Sequence, residues 1–356
     1  KHTFLNTDEL ETIGSDENTH IVSVLDVGNQ EGLPHNGAKI FYLKEDGEIG
    51  KINSPLIGDL GKVNMADPNF MAEVLKEIVS KFPAENVAIF VDSHGYGWKG
   101  VIQDNDSAAK VMKIGELREA LDKVKNSIGK MIDVLVFDAS FMAMFEVGYE
   151  LKDVIKYMVA SQEYIRGGGI NYAAALNGWK LLSNKIKPME FAEMIVNNSG
   201  KYNSDEYNVF TMSALDLDFV IDVAEVLNSL AREILREDSW KMPYIIDDIA
   251  RSQEFSKIDD LKPFHRHQYR DLIDFVENFL GDNPKAERVL RVLRNFVITA
   301  ASHSSKYEYA NGVSIELPLY KIANVANSEE YKETLFAKDT LWDEMLNRIY
   351  EYARYP

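Results

Sequence analysis

The stretch Ile132-Asp133-Val134-Leu135-Val136-Phe137-Asp138-Ala139-Ser140 decides the fold: an apolar, β-branched run that empties into small and polar residues. A second run, Val87-Ala88-Ile89-Phe90-Val91, feeds Asp92-Ser93-His94-Gly95-Tyr96-Gly97-Trp98. Each reads as a short buried strand followed by a loop. In a mostly parallel α/β sheet, loops at the carboxyl ends of neighbouring strands line the active-site crevice. The pattern therefore sets His94 opposite Ser140, as base and nucleophile position.

Working outward, strand-like runs occur at 21–27 and 39–43, separated by a turn-rich stretch with Gly32, Pro34, Asn36 and Gly37. Asp67-Pro68 opens an amphipathic helix to Lys81, with Phe70, Met71, Val74, Leu75 and Ile78 at helical spacing. Further helices are expected at about 114–127 and 142–152, and a strand at about 155–160. Strands alternating with helices imply a parallel sheet covered on both faces. Residues 1–18 are polar and acidic and read as a loosely held arm. The sheet domain is expected over 19–215. From 216 to 356 helical patterns dominate, at about 217–237, 268–281, 284–302 and 339–353. A strand near 313–317 in that helical portion is expected to return to the sheet.

The chain has 356 residues, 46% of them hydrophobic, enough for a large core. It contains no cysteine, so no disulfide framework is available. A net charge of −18 argues against non-specific nucleic-acid binding. No apolar run is long enough for a transmembrane helix. The chain starts Lys1-His2-Thr3 with no initiator methionine or visible signal peptide, as expected of a mature or trimmed chain.

The two blocks, 94–98 and 138–151, resemble the active-site blocks of the clostripain-like cysteine peptidases. Asn64-Met65-Ala66-Asp67-Pro68, Phe82-Pro83-Ala84, Ser213-Ala214-Leu215-Asp216-Leu217 and Gly312-Val313-Ser314-Ile315-Glu316-Leu317-Pro318 resemble further family blocks in the same order. The resemblance implies a caspase-like fold, a peptide or protein substrate, and a secreted or cell-envelope location. In the family the second block reads Asp-Ala-Cys, with the cysteine as nucleophile. Here serine stands at 140, and zero cysteines suits a chain whose only, catalytic, cysteine was replaced.

A peptidase of this kind needs a nucleophile, a base and donors for the oxyanion. His94 is the expected base and proton shuttle. The amide of Gly95, with that of residue 140, is the expected oxyanion hole. A cysteine thiol titrates near ~8.5, and a neighbouring imidazolium lowers it, whereas a serine hydroxyl needs a well-oriented base. Ser140 thus admits three readings: a cysteine replaced to trap an otherwise active peptidase, a natural non-catalytic peptide binder, or a serine hydrolase. No Gly-x-Ser-x-Gly elbow surrounds Ser140, which disfavours the last. Asp138 and Ala139 are expected beside the substrate, with a strand-end hydrogen-bonding role as the alternative for Asp138. Trp98 and Tyr96 are expected to wall the cleft or to pack in the core.

By resemblance, an aspartate in a Gly-Asp-Gly loop after the next strand gives these peptidases their preference for arginine or lysine. The matching stretch here is Ser161-Gln162-Glu163-Tyr164-Ile165-Arg166-Gly167-Gly168-Gly169, with Gly168 in the aspartate's place. A buried guanidinium without a carboxylate is costly. An altered primary pocket is therefore expected, unless Glu163 or Asp138 reaches in. Self-cleavage, also implied by the resemblance, has Lys110 and Lys113 as candidate points beside the polar segment 104–110, against an ordinary surface loop. No cofactor is needed for the chemistry. Calcium, known among relatives, is weighed at Asp104-Asn105-Asp106, which lacks the glycine and distant glutamate of an EF-hand. His265-Arg266-His267 lacks the companions of a metal site. Asp216 and Asp218 read as helix-capping acids.

Overall fold

The computed structural model describes residues 2–26, 37–165, 168–182, 185–202, 210–255, 269–303, 305–319 and 328–352. In chain order the strands are β1 (Val22–Asp26), β2 (Ala38–Tyr42), β3 (Leu56–Gly61), β4 (Ala88–Asp92), β5 (Val101–Asp104), β6 (Lys110–Met112) and β7 (Ile132–Asp138). They continue as β8 (Ile155–Ala160), β9 (Phe210–Asp216), β10 (Glu254–Phe255), β11 (Tyr269–Asp271), β12 (Val297–His303) and β13 (Ser314–Glu316). The first four helices are α1 (His2–Glu11), α2 (Pro68–Lys81), α3 (Ile114–Ile128) and α4 (Phe145–Leu151).

The central sheet has the order β12-β9-β8-β7-β4. Neighbours β4, β7 and β8 run parallel, β9 is antiparallel to β8, and β12 is antiparallel to β9. Four strands therefore point one way and one opposes them. All seven residues of β7 are buried, as the uninterrupted apolar run requires of a strand covered on both faces. Its alternate residues feed two cores. Leu135 and Phe137 face one with α3 and α4, while Val134 and Val136 face another with Phe191 and Ile195 of the helix 188–202.

Local signals hold in the first half. Asp67 caps α2 by accepting from the Asn69 amide at 2.9 Å, and Pro68 opens the helix. α3 buries Ile114, Leu117, Leu121 and Val124 at helical spacing and ends on Gly129 in the left-handed region, φ 73°.

Four expectations change. The acidic arm is α1, and its acids serve as acceptors. Asp8 takes the Gly50 amide at 2.8 Å, and Glu11 takes the Ser54 amide at 2.7 Å. The helix expected over 284–302 ends at Phe296, and the β-branched run from Val297 becomes β12, the edge strand on β9. The strand near 313–317 is β13, which joins a separate small sheet, β10-β11-β13, rather than the central one. It touches the segment after Ser140 through a parallel bridge from Ser314 to Met144. Likewise the expected helix 268–281 begins at Leu272, after β11, with Asp271 capping it from 2.9 Å. One hydrophobic core runs from Ala66 to Tyr350, so the packing is continuous across residue 215.

Candidate active site

β4 and β7 lie side by side in register, Asp92 opposite Asp138, so both strands end at one level. Two residues beyond those ends come His94 and Ser140. The loops they sit on meet backbone to backbone. A Cβ built on Gly95 would lie 2.3 Å from the Ser140 carbonyl oxygen and 3.0 Å from its nitrogen. Only glycine allows that approach. The Ser93 amide donates to the Asp138 carbonyl at 3.2 Å, tying the strand exits together one step earlier.

His94 is exposed, while Ser140 is 8% exposed and its Oγ accepts from the Ile165 amide at 3.0 Å. The next residue, Phe141, has φ 64°, a left-handed conformation that costs a non-glycine residue on the order of 1–3 kcal/mol. Two backbone bonds hold it there: Phe141 N to Glu163 O at 3.2 Å, and Ala143 N to Ser161 O at 2.9 Å. This strained turn delays α4 to Phe145, three residues later than the sequence suggests. It also presents residue 140 at the top of the sheet.

Beside His94 and Ser140 lies a cluster of acids, with Asp138 buried and Asp92 and Glu9 half-buried. Asp138 Oδ1 accepts from the Ile170 amide at 3.1 Å, and Oδ2 accepts from the Tyr172 hydroxyl at 3.1 Å. Asp92 accepts from Asn6 of α1 at 2.9 Å, and Glu9 accepts from the Tyr172 amide at 3.1 Å. Burial first, then the charge of Asp92, pushes Asp138 up to about 7. Burial also raises Asp92 and Glu9. Gly169, φ 65°, lies against this carboxylate: a Cβ there would come within 2.4 Å of Asp138 Oδ2.

The other expected site residues divide. Gly168 is exposed, and a Cβ on it would meet nothing within 4 Å. Glu163 is buried, accepting from the Tyr307 hydroxyl at 2.8 Å and from the Tyr164 amide at 2.9 Å. Ala139 is buried in the core behind the nucleophile. Trp98 takes the core-packing place: it is 3% exposed, donates to Glu316 at 2.8 Å, and meets Tyr331 edge-on at 4.9 Å. Tyr96 stays at the loop, half-buried, with its hydroxyl on Gln103. Arg166, Gly167 and the His265-Arg266-His267 triplet lie outside the described residues.

Around the segment 104–110, β5 and β6 form a hairpin with Asp104 opposite Lys110. Lys110 is exposed, and Lys113 pairs with Glu333 at 3.6 Å. Asp104 turns inward, accepting from the Met65 and Ser107 amides at 2.7 and 2.9 Å. Among the described residues no group of three or more His, Asp or Glu side chains is placed to hold a metal ion. Asp216 accepts from the Asp218 amide at 3.1 Å, a capping bond as expected. Sequence reasoning missed Asn6, Glu9, Tyr172 and Ile165 as neighbours of the site. The acidic character of 1–18 was the one available hint, since carboxylates seek amide donors.

Comparison with known proteins places this geometry. The sequence pattern of the clostripain family matches residues 2–348. A secreted C11 cysteine protease from Bacteroides thetaiotaomicron, solved with an irreversible peptide inhibitor, superposes with a TM-score of 0.70 at 19% identity, over 97% of this chain and 94% of that one. An inactive zymogen C11 protease from Parabacteroides distasonis gives 0.67 at 19% identity, over 94% and 91%. Comparison with individual curated proteins finds no match. At these identities the structural likeness speaks for the fold. The family pattern runs through both strand exits and on through the helical C-terminal portion, and the chain belongs to the clostripain family.

Proposed function

We propose that this chain has the machinery of a cysteine endopeptidase acting through a dyad of His94 and residue 140, and that Ser140 leaves it inactive or nearly so. The observation that carries this reading is the backbone contact of Gly95 with residue 140 at the in-register ends of β4 and β7. With cysteine at 140, the thiolate attacks the scissile carbonyl and the amides of Gly95 and residue 140 receive the oxyanion. His94 gives its proton to the departing amine, leaving an acyl-enzyme. Water, deprotonated by His94, then releases the acid and restores the thiol. No step is assigned to a metal.

Serine at 140 lacks this route. An alcohol needs a base oriented by a third group. Asp138 is engaged by Ile170 and Tyr172, and Asp92, which accepts from Asn6, feels the charge of His94 with no hydrogen bond to it among the described residues. A second reading, a natural peptide-binding relative without catalysis, is favoured by the one fact that the sequence holds no cysteine.

For specificity we propose a primary pocket not built for arginine or lysine. Gly168 supplies no carboxylate, and Glu163 and Asp138 spend their oxygens on internal donors. The relative solved with a peptide inhibitor supports a peptide substrate, and another secreted relative supports export of this chain. No described helix is long and apolar enough to cross a membrane.

Digestion of a mixed peptide library by the Ser140→Cys form, read by mass spectrometry, tests both parts. Cleavage by that form alone, after uncharged or acidic residues, is expected. Strict cutting after arginine or lysine would overturn the pocket assignment. Silence with the fold intact would favour the binding protein.

A further inference from the structure

Behind the dyad, on the α3–α4 side of the sheet, four buried side chains close a ring. Trp98, from the turn after His94, donates its indole N–H to Glu316 Oε2 on β13 at 2.8 Å. The Glu316 amide donates to Glu146 Oε1 on α4, the helix that follows Ser140, at 2.9 Å. The Tyr331 hydroxyl, from the short helix 329–332, donates to the same Glu146 oxygen at 3.0 Å. The Tyr331 ring completes the circuit against Trp98, edge-on at 85°.

Each carboxyl group is half satisfied. Glu146 Oε2 and Glu316 Oε1 are buried with no hydrogen-bond partner among the described residues. Leaving both groups ionised would strand two like charges and two bare acceptors in the core. Protonation eases the difficulty, because it removes the charge whose burial is the larger cost. The surroundings do little to neutralise the pair. Lys99 is the cation that favours a charged Glu316, and its ammonium rests over the Trp98 ring at 5.4 Å. Tyr269 of β11 and Tyr331 face the pair as neutral groups, and the charge of Asp343, in the helix 342–352, reaches Tyr331.

We propose that Glu146 and Glu316 are positioning residues that are held protonated and, through Trp98, lock the His94 loop onto the helix after Ser140. The bound protons extend the description of the fold, and their catalytic consequence rests on the peptidase reading above. Burial pushes Glu146 up to about 7; burial, with the Glu146 charge adding, pushes Glu316 up to about 8. The folded protein thus holds protons that the unfolded chain releases above the ordinary value of 4.5. Stability from the ring therefore falls as pH rises from there to about 8 and levels off beyond. The lock weakens in the same direction.

The test uses infrared difference spectra of the chain as it stands, between about pH 6 and about pH 9, across the range where buried carboxyls titrate. A protonated-carboxyl band is expected at the lower pH, lost at the higher, and reduced in both Glu316→Gln and Glu146→Gln, with Asp138 contributing to the remainder. Trp98→Phe should keep the band, since it cuts the ring only at the loop. In the Ser140→Cys background, the alkaline fall of kcat should be centred near pH 8 and move up by at least about one unit in Glu316→Gln, with KM unchanged. A band unaltered by both glutamine variants, or none in the parent, would overturn the bound protons. Identical pH–rate profiles for parent and Glu316→Gln would overturn the positioning role. If the cysteine form cleaves nothing, the peptidase reading fails while the infrared result still decides the protonation.

Discussion

Two buried carboxyl clusters flank the ends of β4 and β7, and they are satisfied in opposite ways. On one side Asp138 has donors on both oxygens, from Ile170 and Tyr172, and α1 brings Asn6 to Asp92. On the other, Glu146 and Glu316 each keep one oxygen without a partner among the described residues. Burial pushes both clusters towards the protonated form, and donors on both oxygens offset part of that cost on the first side only. Both brace the same two loops, so the site is positioned from either face of the sheet by groups that respond to pH. Donors lower the cost of a buried charge, so a half-bonded carboxylate costs more than one bonded at both oxygens.

The comparison can be broken at several places. The largest effect is expected where the two loops touch. Gly95→Ala would press a methyl group against the Ser140 carbonyl from 2.3 Å, so one loop must give way. A stability loss of about 1–3 kcal/mol is expected by denaturant titration, as for overpacked sites. In the cysteine form it should also cost on the order of 100-fold or more in kcat/KM, through the displaced amide.

Next is the pH response of the donor-rich side. Asp138 is pushed up to about 7 in the fold, above its ordinary 3.8, so its contribution to stability falls as pH rises between those values. Asp138→Asn removes that titration. Thermal unfolding across the window should then lose up to about one proton of pH dependence, ~1.4 kcal/mol per pH unit at most. An unchanged slope would mean that the charge of Asp138 is already compensated. The smallest effect is expected at the periphery of the cluster. Asn6→Ala deletes the donor to Asp92 and should cost about 1–2 kcal/mol, read by chemical denaturation. No loss there would return α1 to the status of an incidental arm.

How much of this was legible in the sequence follows from the range of the forces involved. The strands that carry the site were readable because their apolar runs need no partner to be recognised, and α2 and α3 because their caps are local. β12 was not. Val297 to His303 follows a helix without a break, and only pairing with β9, 80 or so residues earlier, makes it a strand. The site divides in the same way. His94, Gly95 and Ser140 were visible at strand exits. The turn of Trp98 into the core depends on Glu316, 218 residues away, and no local pattern announces such a contact. Gly168 is exposed with open space around it, and its place in a substrate pocket comes from the resemblance alone.

The most direct test uses the absence of cysteine. Ser140→Cys would create the sole thiol of the chain, so its titration can be followed without interference, by the rate of iodoacetamide alkylation against pH. With His94 present, the account predicts a thiolate forming well below the ordinary value of ~8.5, and a return towards that value in the His94→Ala double variant. The same titration curve for both proteins would contradict the dyad, and with it the claim that β4 and β7 deliver a base and a nucleophile to one site.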